Sequence, residues 1–303
     1  SNNDANLFFN LGLVFFKQKN VHSAIDCYVK GLNIDPNNTF ALLNLANMYE
    51  DNSQFELALD VIKKCSNLNS NDPKVIFAHG NILKSIGRYN EALKKYNEVL
   101  SLDQNFLEAR TNIGCVLHQS GKIDEGIKYF KDLLNSNGSC PKIETHLSHL
   151  LLLKGNYEEG LNKYDSRLLE NLHHYSKYKN LKRWENKSFP NNYQLLITSE
   201  QGLGDTIQFC RYLIPLKQKG IDIIFCVQEK LKELIKVSNL VEKVYTDKNI
   251  PTLKNANWIP LLSIPRLLGV NPLNPIIDKP YLKPPDTKIN EWRQILRINN
   301  KPT

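Results

Sequence analysis

Through the first half of the chain, apolar residues recur three and four positions apart, in runs of about a dozen residues broken by short polar turns. The segment 5-ANLFFNLGLVFFKQKNVHSAIDCYVKGLNIDP-36 holds two such runs, and the same pattern returns at 39-TFALLNLANMYEDNSQFELALDVIKKCSNLNS-70, 73-PKVIFAHGNILKSIGRYNEALKKYNEVLSLDQ-104 and 107-LEARTNIGCVLHQSGKIDEGIKYFKDLLNSNG-138. A more degenerate copy is 141-PKIETHLSHLLLLKGNYEEGLNKYDSRLLE-170. The starts fall at 5, 39, 73, 107 and 141, a strict period of 34. A fixed period of helix pairs predicts stacked supersecondary units that bury one continuous core.

Particular positions within the repeat carry the packing. The eighth is always small (Gly12, Ala46, Gly80, Gly114, Ser148), as a close helix crossing requires. The eleventh fills the core with Phe15, Tyr49, Leu83, Leu117 and Leu151. The twentieth is small again (Ala24, Ala58, Ala92, Gly126, Gly160), and the twenty-fourth holds Tyr28, Ile62, Tyr96, Phe130 and Tyr164. Pro36 closes the first copy where its second helix must end. Over residues 5–170 this pattern resembles the tetratricopeptide repeat. The resemblance implies an α-solenoid whose first helices line a concave groove. The sixth position carries Asn10, Asn44, Ala78, Asn112 and His146, and the ninth Leu13, Asn47, Asn81, Cys115 and His149. Side-chain amides on successive helices offer donors and acceptors to the backbone of an extended peptide. The candidate peptide-groove residues are therefore Asn10, Asn44, Asn47, Asn81, Asn112 and His149. Capping of neighbouring backbone groups is the competing role for these asparagines. His146 and His149 sit three apart without a nearby Asp or Cys, so groove or packing roles are expected and a metal site is not.

After about residue 190 the period shortens. Strand-like runs at 194–200, 221–228 and 241–246 alternate with helix-like runs at 205–219 and 229–237, and a fourth strand is expected at 256–261. Such βαβ order predicts an α/β, Rossmann-like parallel sheet with helices on both faces. A short helix at 263–269, a proline-punctuated connection over 270–285 and a last helix to about Arg297 follow. The expected organisation is a repeat array over 1–172, a junction over 173–193 that includes 173-HHYSKY-178 and Trp184, and the α/β domain over 194–303.

The first strand runs into 200-EQGLGDTIQF-209. The dinucleotide fingerprint needs a third glycine where Ile207 stands, and no GK[ST] follows, so neither standard phosphate loop is present. This argues against a nicotinamide-dependent oxidoreductase. In an open parallel sheet the turn Gly202-Leu203-Gly204 lies at the carboxyl edge, where ligands bind. Asp205 can cap the following helix or act as a base toward a hydroxyl. EQGLGDTIQFCRYL, with IPLLSIPRLLG and PYL downstream, resembles bacterial glycosyltransferases that carry an amino-terminal tetratricopeptide array. More widely, it is similar to GT-B-fold transferases such as the heptosyltransferases, while the asparagine ladder is similar to that of O-linked N-acetylglucosamine transferases. The resemblance implies Asp205 as the catalytic base for an acceptor hydroxyl. It implies Gln201, Gly202, Gly204, Gln208 and Arg211 as substrate-binding residues. It also implies a nucleotide-sugar donor and an acceptor as partners, with the donor held by a second domain expected outside this chain. No cofactor or metal is expected in the chain itself. The alternative function is a non-catalytic protein-interaction scaffold.

Composition narrows the field further. The net charge of +8 sits wholly in the second part: residues 1–180 hold 20 Lys/Arg against 20 Asp/Glu, and 181–303 hold 19 against 11. That excess suits an anionic ligand or a solvated lysine-rich surface. No basic stripe with interleaved aromatics marks nucleic-acid binding. No apolar run is long enough for a membrane span. The six cysteines form no CxxC, which suits free thiols in the cytoplasm. The start SNNDANLFFN lacks a signal-peptide pattern and a Met, so a piece of a longer protein is expected, and open repeat ends make a homo-oligomer possible.

Overall fold

The computed structural model describes residues 2–170, 175–185, 194–253, 255–274 and 279–298. His173, His174 and much of the expected junction lie outside the described residues. The chain divides into two compact units, Ser1–Ser136 and Asn137–Thr303.

The first unit is four antiparallel helix pairs: α1 (Asn2–Lys17) with α2 (Val21–Ile34), α3 (Thr39–Asp51) with α4 (Phe55–Leu68), α5 (Pro73–Ser85) with α6 (Tyr89–Leu102), and α7 (Leu107–Gln119) with α8 (Ile123–Asn137). Helix starts are capped where the sequence provides an acceptor. Asn38 Oδ1 takes the Ala41 N–H at 3.0 Å, and Asp72 Oδ1 takes the Lys74 N–H at 2.8 Å ahead of Pro73. The turn inside each pair passes through a left-handed residue at the fifteenth repeat position: Lys19 (φ 62°), Ser53 (59°), Gly87 (78°) and Gly121 (77°). The sequence reading had not singled out this position.

The small eighth residue faces the bulky twenty-fourth. A Cβ on Gly114 would lie 2.1 Å from Phe130 Cζ, and one on Gly12 would lie 2.6 Å from Tyr28 Cδ2. Where the twenty-fourth residue is the slimmer Ile62, the eighth is Ala46, and both are fully buried. Backbone approach is thus set pair by pair through one volume trade.

The second unit begins with α9 (Pro141–Leu153) and α10 (Tyr157–Tyr164), the fifth pair. Its turn is again left-handed, at Gly155 (φ 86°). The second helix breaks after Tyr164, and the one-turn α11 (Arg167–Glu170) follows. Five parallel strands come next in the order β1-β5-β2-β3-β4: β1 (Lys182–Arg183), β2 (Gln194–Thr198), β3 (Asp222–Cys226), β4 (Lys243–Tyr245) and β5 (Ala256–Pro260). The two-residue strand β1 fell within the stretch expected to be a junction. Between the strands lie α12 (Leu203–Phe209), α13 (Leu213–Gln218) and α14 (Lys232–Val237), then α15 (Ile264–Leu268) and α16 (Asp286–Ile298). The single helix expected over 205–219 is two helices joined by a 3-10 turn at Cys210–Tyr212, just before Pro215.

Alternation along β2 sends Leu195 and Ile197 to one face and Leu196 to the other. The first face packs on helix residues such as Leu213, Leu216 and Ile235. Among the described residues the second face is covered by Tyr175, Tyr178 and Ile250, from outside the sheet, and by Tyr245 of β4, around Trp258. Helices on both faces were expected. The short β-to-β connections supply helices to only one, and Tyr178 and Trp258, 5.2 Å apart, serve the other. No helix among the described residues is long and apolar enough to cross a membrane.

Candidate functional site

Two places gather polar groups that the fold positions. In the first unit, α1, α3 and α5 line a cavity of about 560 Å³. Its apolar lining includes Leu13, Phe16, Leu43, Phe77 and Phe106; Asn44, Asn47 and Asn81 line it too, as do Glu50, Asp51 and Lys74. Three of the six predicted groove residues therefore share one cavity. Asn10 is exposed on α1 and does not line it. Asn112 is half-buried on α7 and donates Nδ2 to Asn81 Oδ1 at 2.8 Å. His149 lies in the second unit, exposed on α9, with its ring 5.7 Å from that of Tyr164.

The asparagines also have internal partners. Asn44 donates to the Tyr28 hydroxyl at 3.2 Å, and the Tyr96 hydroxyl donates to Asn81 Oδ1 at 2.8 Å. Asn112 Nδ2 also reaches Tyr96 Oη at 3.4 Å. The rule is a pairing across repeats: the sixth residue of one copy meets the twenty-fourth of the copy before. Tyr28 precedes Asn44 and Tyr96 precedes Asn112, whereas apolar Ile62 precedes apolar Ala78. A buried hydroxyl without a partner is costly, so tyrosine in the seam calls for an amide opposite it. Burial holds the Tyr28 and Tyr96 phenols above their ordinary range. Asn81 spends its oxygen on two internal donors, which leaves its NH₂ end for the groove. Burial also raises the carboxyl of Glu50, against which the Ser85 hydroxyl donates at 2.7 Å.

The second place is the carboxyl edge of the parallel sheet, where the strand order reverses between β2 and β5. Asp205 accepts the Gly202 N–H on Oδ2 at 3.0 Å and so caps α12. Gln201 has a left-handed backbone (φ 35°) and donates Nε2 to Tyr164 Oη at 2.8 Å. Gly202 and Gly204 are exposed, and a Cβ on Gly204 would meet nothing within 4 Å. Arg211 is held by the Gln208 carbonyl at 2.7 Å and the Tyr281 hydroxyl at 3.1 Å, while the Gln208 side chain is exposed. Thr198 Oγ1 and Gln228 Oε1, at the carboxyl ends of β2 and β3, are buried without a hydrogen-bond partner.

Beside this corner, the crevice is filled from within the chain. Arg167, from α11, donates Nη2 and Nε to the two oxygens of Glu200 at 2.6 and 3.2 Å. Its Nη2 also reaches Ser263 Oγ at 3.1 Å, and its Nη1 reaches Asp165 at 3.2 Å and the Tyr164 carbonyl at 2.9 Å. Glu200 further accepts from the Leu262 N–H and the Tyr175 hydroxyl. Asp165 gathers Arg183 at 2.6 Å and Arg266 at 3.0 Å. The buried carboxylate of the motif is thus Glu200, not Asp205. Sequence reading passed over Glu200 and Arg167; the one available signal was an acid at the end of an otherwise apolar strand. Among the described residues no group of three His, Cys, Asp or Glu side chains could hold a metal ion.

The tetratricopeptide repeat model matches residues 5–38, 27–60 and 107–140, and a TPR repeat model matches 80–121. Tetratricopeptide repeats thus occupy 5–60 and 80–140. No curated protein shows significant similarity to the chain. Similar solved structures include pilF of Pseudomonas aeruginosa, at 25% identity over 54% of this chain and 75% of that one, with a TM-score of 0.46. MamA from Desulfovibrio magneticus RS-1 is 16% identical over 56% and 96%, with a TM-score of 0.47. YrrB, a TPR protein with an unusual peptide-binding site, is 20% identical over 56% and 88%, with a TM-score of 0.42.

Proposed function

We propose that the amino-terminal helix pairs bind an extended segment of a protein partner in the groove of α1, α3 and α5. The observation that carries this reading is the cavity lined both by the amides of Asn44, Asn47 and Asn81 and by Leu43, Phe77 and Phe106. An extended peptide sends alternate side chains to such a lining while its backbone meets the amides. Glu50 and Asp51 against the single Lys74 favour a neutral or basic segment over an acidic one. The test is fluorescence anisotropy with labelled extended peptides whose apolar residues alternate. Asn81→Asp keeps the oxygen that Tyr96 and Asn112 use but removes the donor facing the groove. It is expected to weaken binding at least about tenfold, equivalent to about 1.4 kcal/mol. Unchanged binding in Asn81→Asp and in Asn47→Ala would remove the groove from consideration.

A second reading rests on the glycine corner at the carboxyl edge of the parallel sheet. In it the second unit is the acceptor-side half of a sugar-nucleotide-dependent GT-B-type glycosyltransferase. Asp205, whose Oδ2 caps Gly202, would use its other oxygen to take the proton of an acceptor hydroxyl. Gln201, Gly202, Gly204, Gln208 and Arg211 would line the acceptor. The buried, unpartnered Thr198 Oγ1 and Gln228 Oε1 favour a polar guest at this edge. The nucleotide-sugar would be substrate, bound chiefly by groups outside this sheet, and no further cofactor is invoked. Asp205→Asn separates the roles, because an amide oxygen can still cap Gly202 but cannot serve as a base. Transfer lost with thermal stability kept supports the enzyme; transfer retained leaves the groove reading alone.

A further inference from the structure

On the basis of the groove reading above, we propose that the bound segment carries a lysine or arginine seated against Glu50 and Asp51, and that Glu50 sets this selectivity. The charged residues that line the cavity are divided along the helix direction. Ser85, the last residue of α5, donates its hydroxyl to Glu50 in the last turn of α3, so the two helices run the same way. Lys74 is the second residue of α5, which at 1.5 Å per residue sets its backbone about 16 Å before Ser85. That is too far for Lys74 to pair with Glu50, and beyond the screening length of about 8 Å at physiological salt. The cavity therefore has one cationic and one anionic end.

Glu50 is half-buried, and its charge is not neutralised from within the chain. Ser85 Oγ holds Oε1 at 2.7 Å, and among the described residues Oε2 has no hydrogen-bond partner. Neither Glu50 nor Asp51 forms an ion pair among the described residues. Burial raises the Glu50 carboxyl, and the Ser85 hydroxyl and the nearby Lys84 offset this only in part, while Asp51 adds to it. Folding has thus already removed part of the hydration of Glu50, so a cation brought by a guest meets two negative charges at reduced desolvation cost. Phe16, which also lines the cavity, occupies the twelfth repeat position, as Glu50 does, and so lies level with it on α1. Its ring suits the aliphatic stem of a lysine or arginine whose charged head reaches the carboxylates. A bare metal ion is the poorer guest, because among the described residues no third His, Cys, Asp or Glu joins the two acids.

The test is fluorescence anisotropy with labelled extended peptides of alternating apolar and polar residues. A single lysine is walked through the polar positions and compared with glutamine at the same place. At one position lysine should tighten binding at least about fivefold. Glu50→Gln keeps an acceptor for Ser85 and should abolish that advantage, with the glutamine peptides held within about twofold of their parent affinity. Lys74→Gln should leave the advantage in place. Far-UV circular dichroism melts check that each variant is folded. Binding without a preference for lysine at any position, or a preference that survives Glu50→Gln, overturns this inference and leaves the groove reading standing. Failure of every peptide to bind overturns both.

Discussion

Arg167→Met tests whether the second unit is organised around its buried ion pair. The side chains of Arg167 and Glu200 are 7% and 4% exposed, and two hydrogen bonds join them. Methionine restores much of the volume but none of the five polar contacts described above. Glu200 would keep the Leu262 N–H and the Tyr175 hydroxyl, yet its charge would be buried without a cation. Removing one partner of such a pair costs about 3–5 kcal/mol, more than the pair itself contributes. At about 2–4 °C per kcal/mol for a unit of this size, the melting temperature should fall by roughly 6–20 °C. The three tryptophans, Trp184, Trp258 and Trp292, all lie beyond residue 137, so urea unfolding followed by tryptophan emission reads this unit. Adding Glu200→Gln removes the stranded charge and keeps an acceptor for Leu262; the double variant should recover at least about 1 kcal/mol. A single variant within about 1 kcal/mol of the parent, or a double variant no better than the single, refutes the reasoning.

Three further predictions concern the repeats. Ser53→Gly removes the penalty of a left-handed non-glycine (φ 59°) and should stabilise by roughly 0.5–1 kcal/mol; a lower melting temperature by circular dichroism would contradict it. Gly114→Ala drives a methyl to 2.1 Å from the buried Phe130 ring and should cost about 1–3 kcal/mol, and Phe130→Ile, which copies the Ala46–Ile62 combination, should return part of that loss. Burial, then the nearby Lys95, pushes His79 down to about 4 from 6.5. Between those values the unfolded chain binds a proton that the folded chain does not, so stability falls with pH through this window. The effect is roughly 1 kcal/mol after solvent screening; His79→Leu should flatten that acid limb, and an identical limb in parent and variant would exclude His79 as its source.

The repeat array was legible because its information is local and recurs. A period of 34, with Gly12, Gly80 and Gly114 opposite Tyr28, Tyr96 and Phe130, can be read from spacing alone. So could β2 and β3, whose buried runs have no polar alternation. The short β1 could not be read, since Lys182 and Arg183 look like a surface stretch and their strand exists only beside Asn257 and Trp258. The ion-pair cluster was equally hidden. Arg167 and Glu200 are 33 residues apart, Asp165 and Ser263 are 98 apart, and DSRLLE reads as an ordinary helix end. Long-range charge pairing leaves no period for a sequence to display.

The polar residues that drew attention first carry two duties, and the packing shows how the two are divided. Each tyrosine in a repeat seam obliges the next helix to place an amide beside its hydroxyl, so Asn44 and Asn112 would stand where they do even without a ligand. That obligation does not exhaust them. Once Asn81 Oδ1 has accepted from Tyr96 and Asn112, its orientation is fixed and its donors are aimed away from the seam. Asn44, which donates to Tyr28, retains an acceptor oxygen. The groove therefore holds a donor and an acceptor at fixed positions on neighbouring helices, the complement of a peptide's own C=O and N–H. Preorganisation of this kind lowers the ordering cost of binding. At the glycine corner the logic is reversed. There the strongest charged groups, Arg167 and Glu200, satisfy one another in the crevice that an open parallel sheet offers to ligands, and the half-buried Asp205 caps Gly202. An amide network that closes on itself and still presents groups outward makes the groove the better-prepared of the two sites.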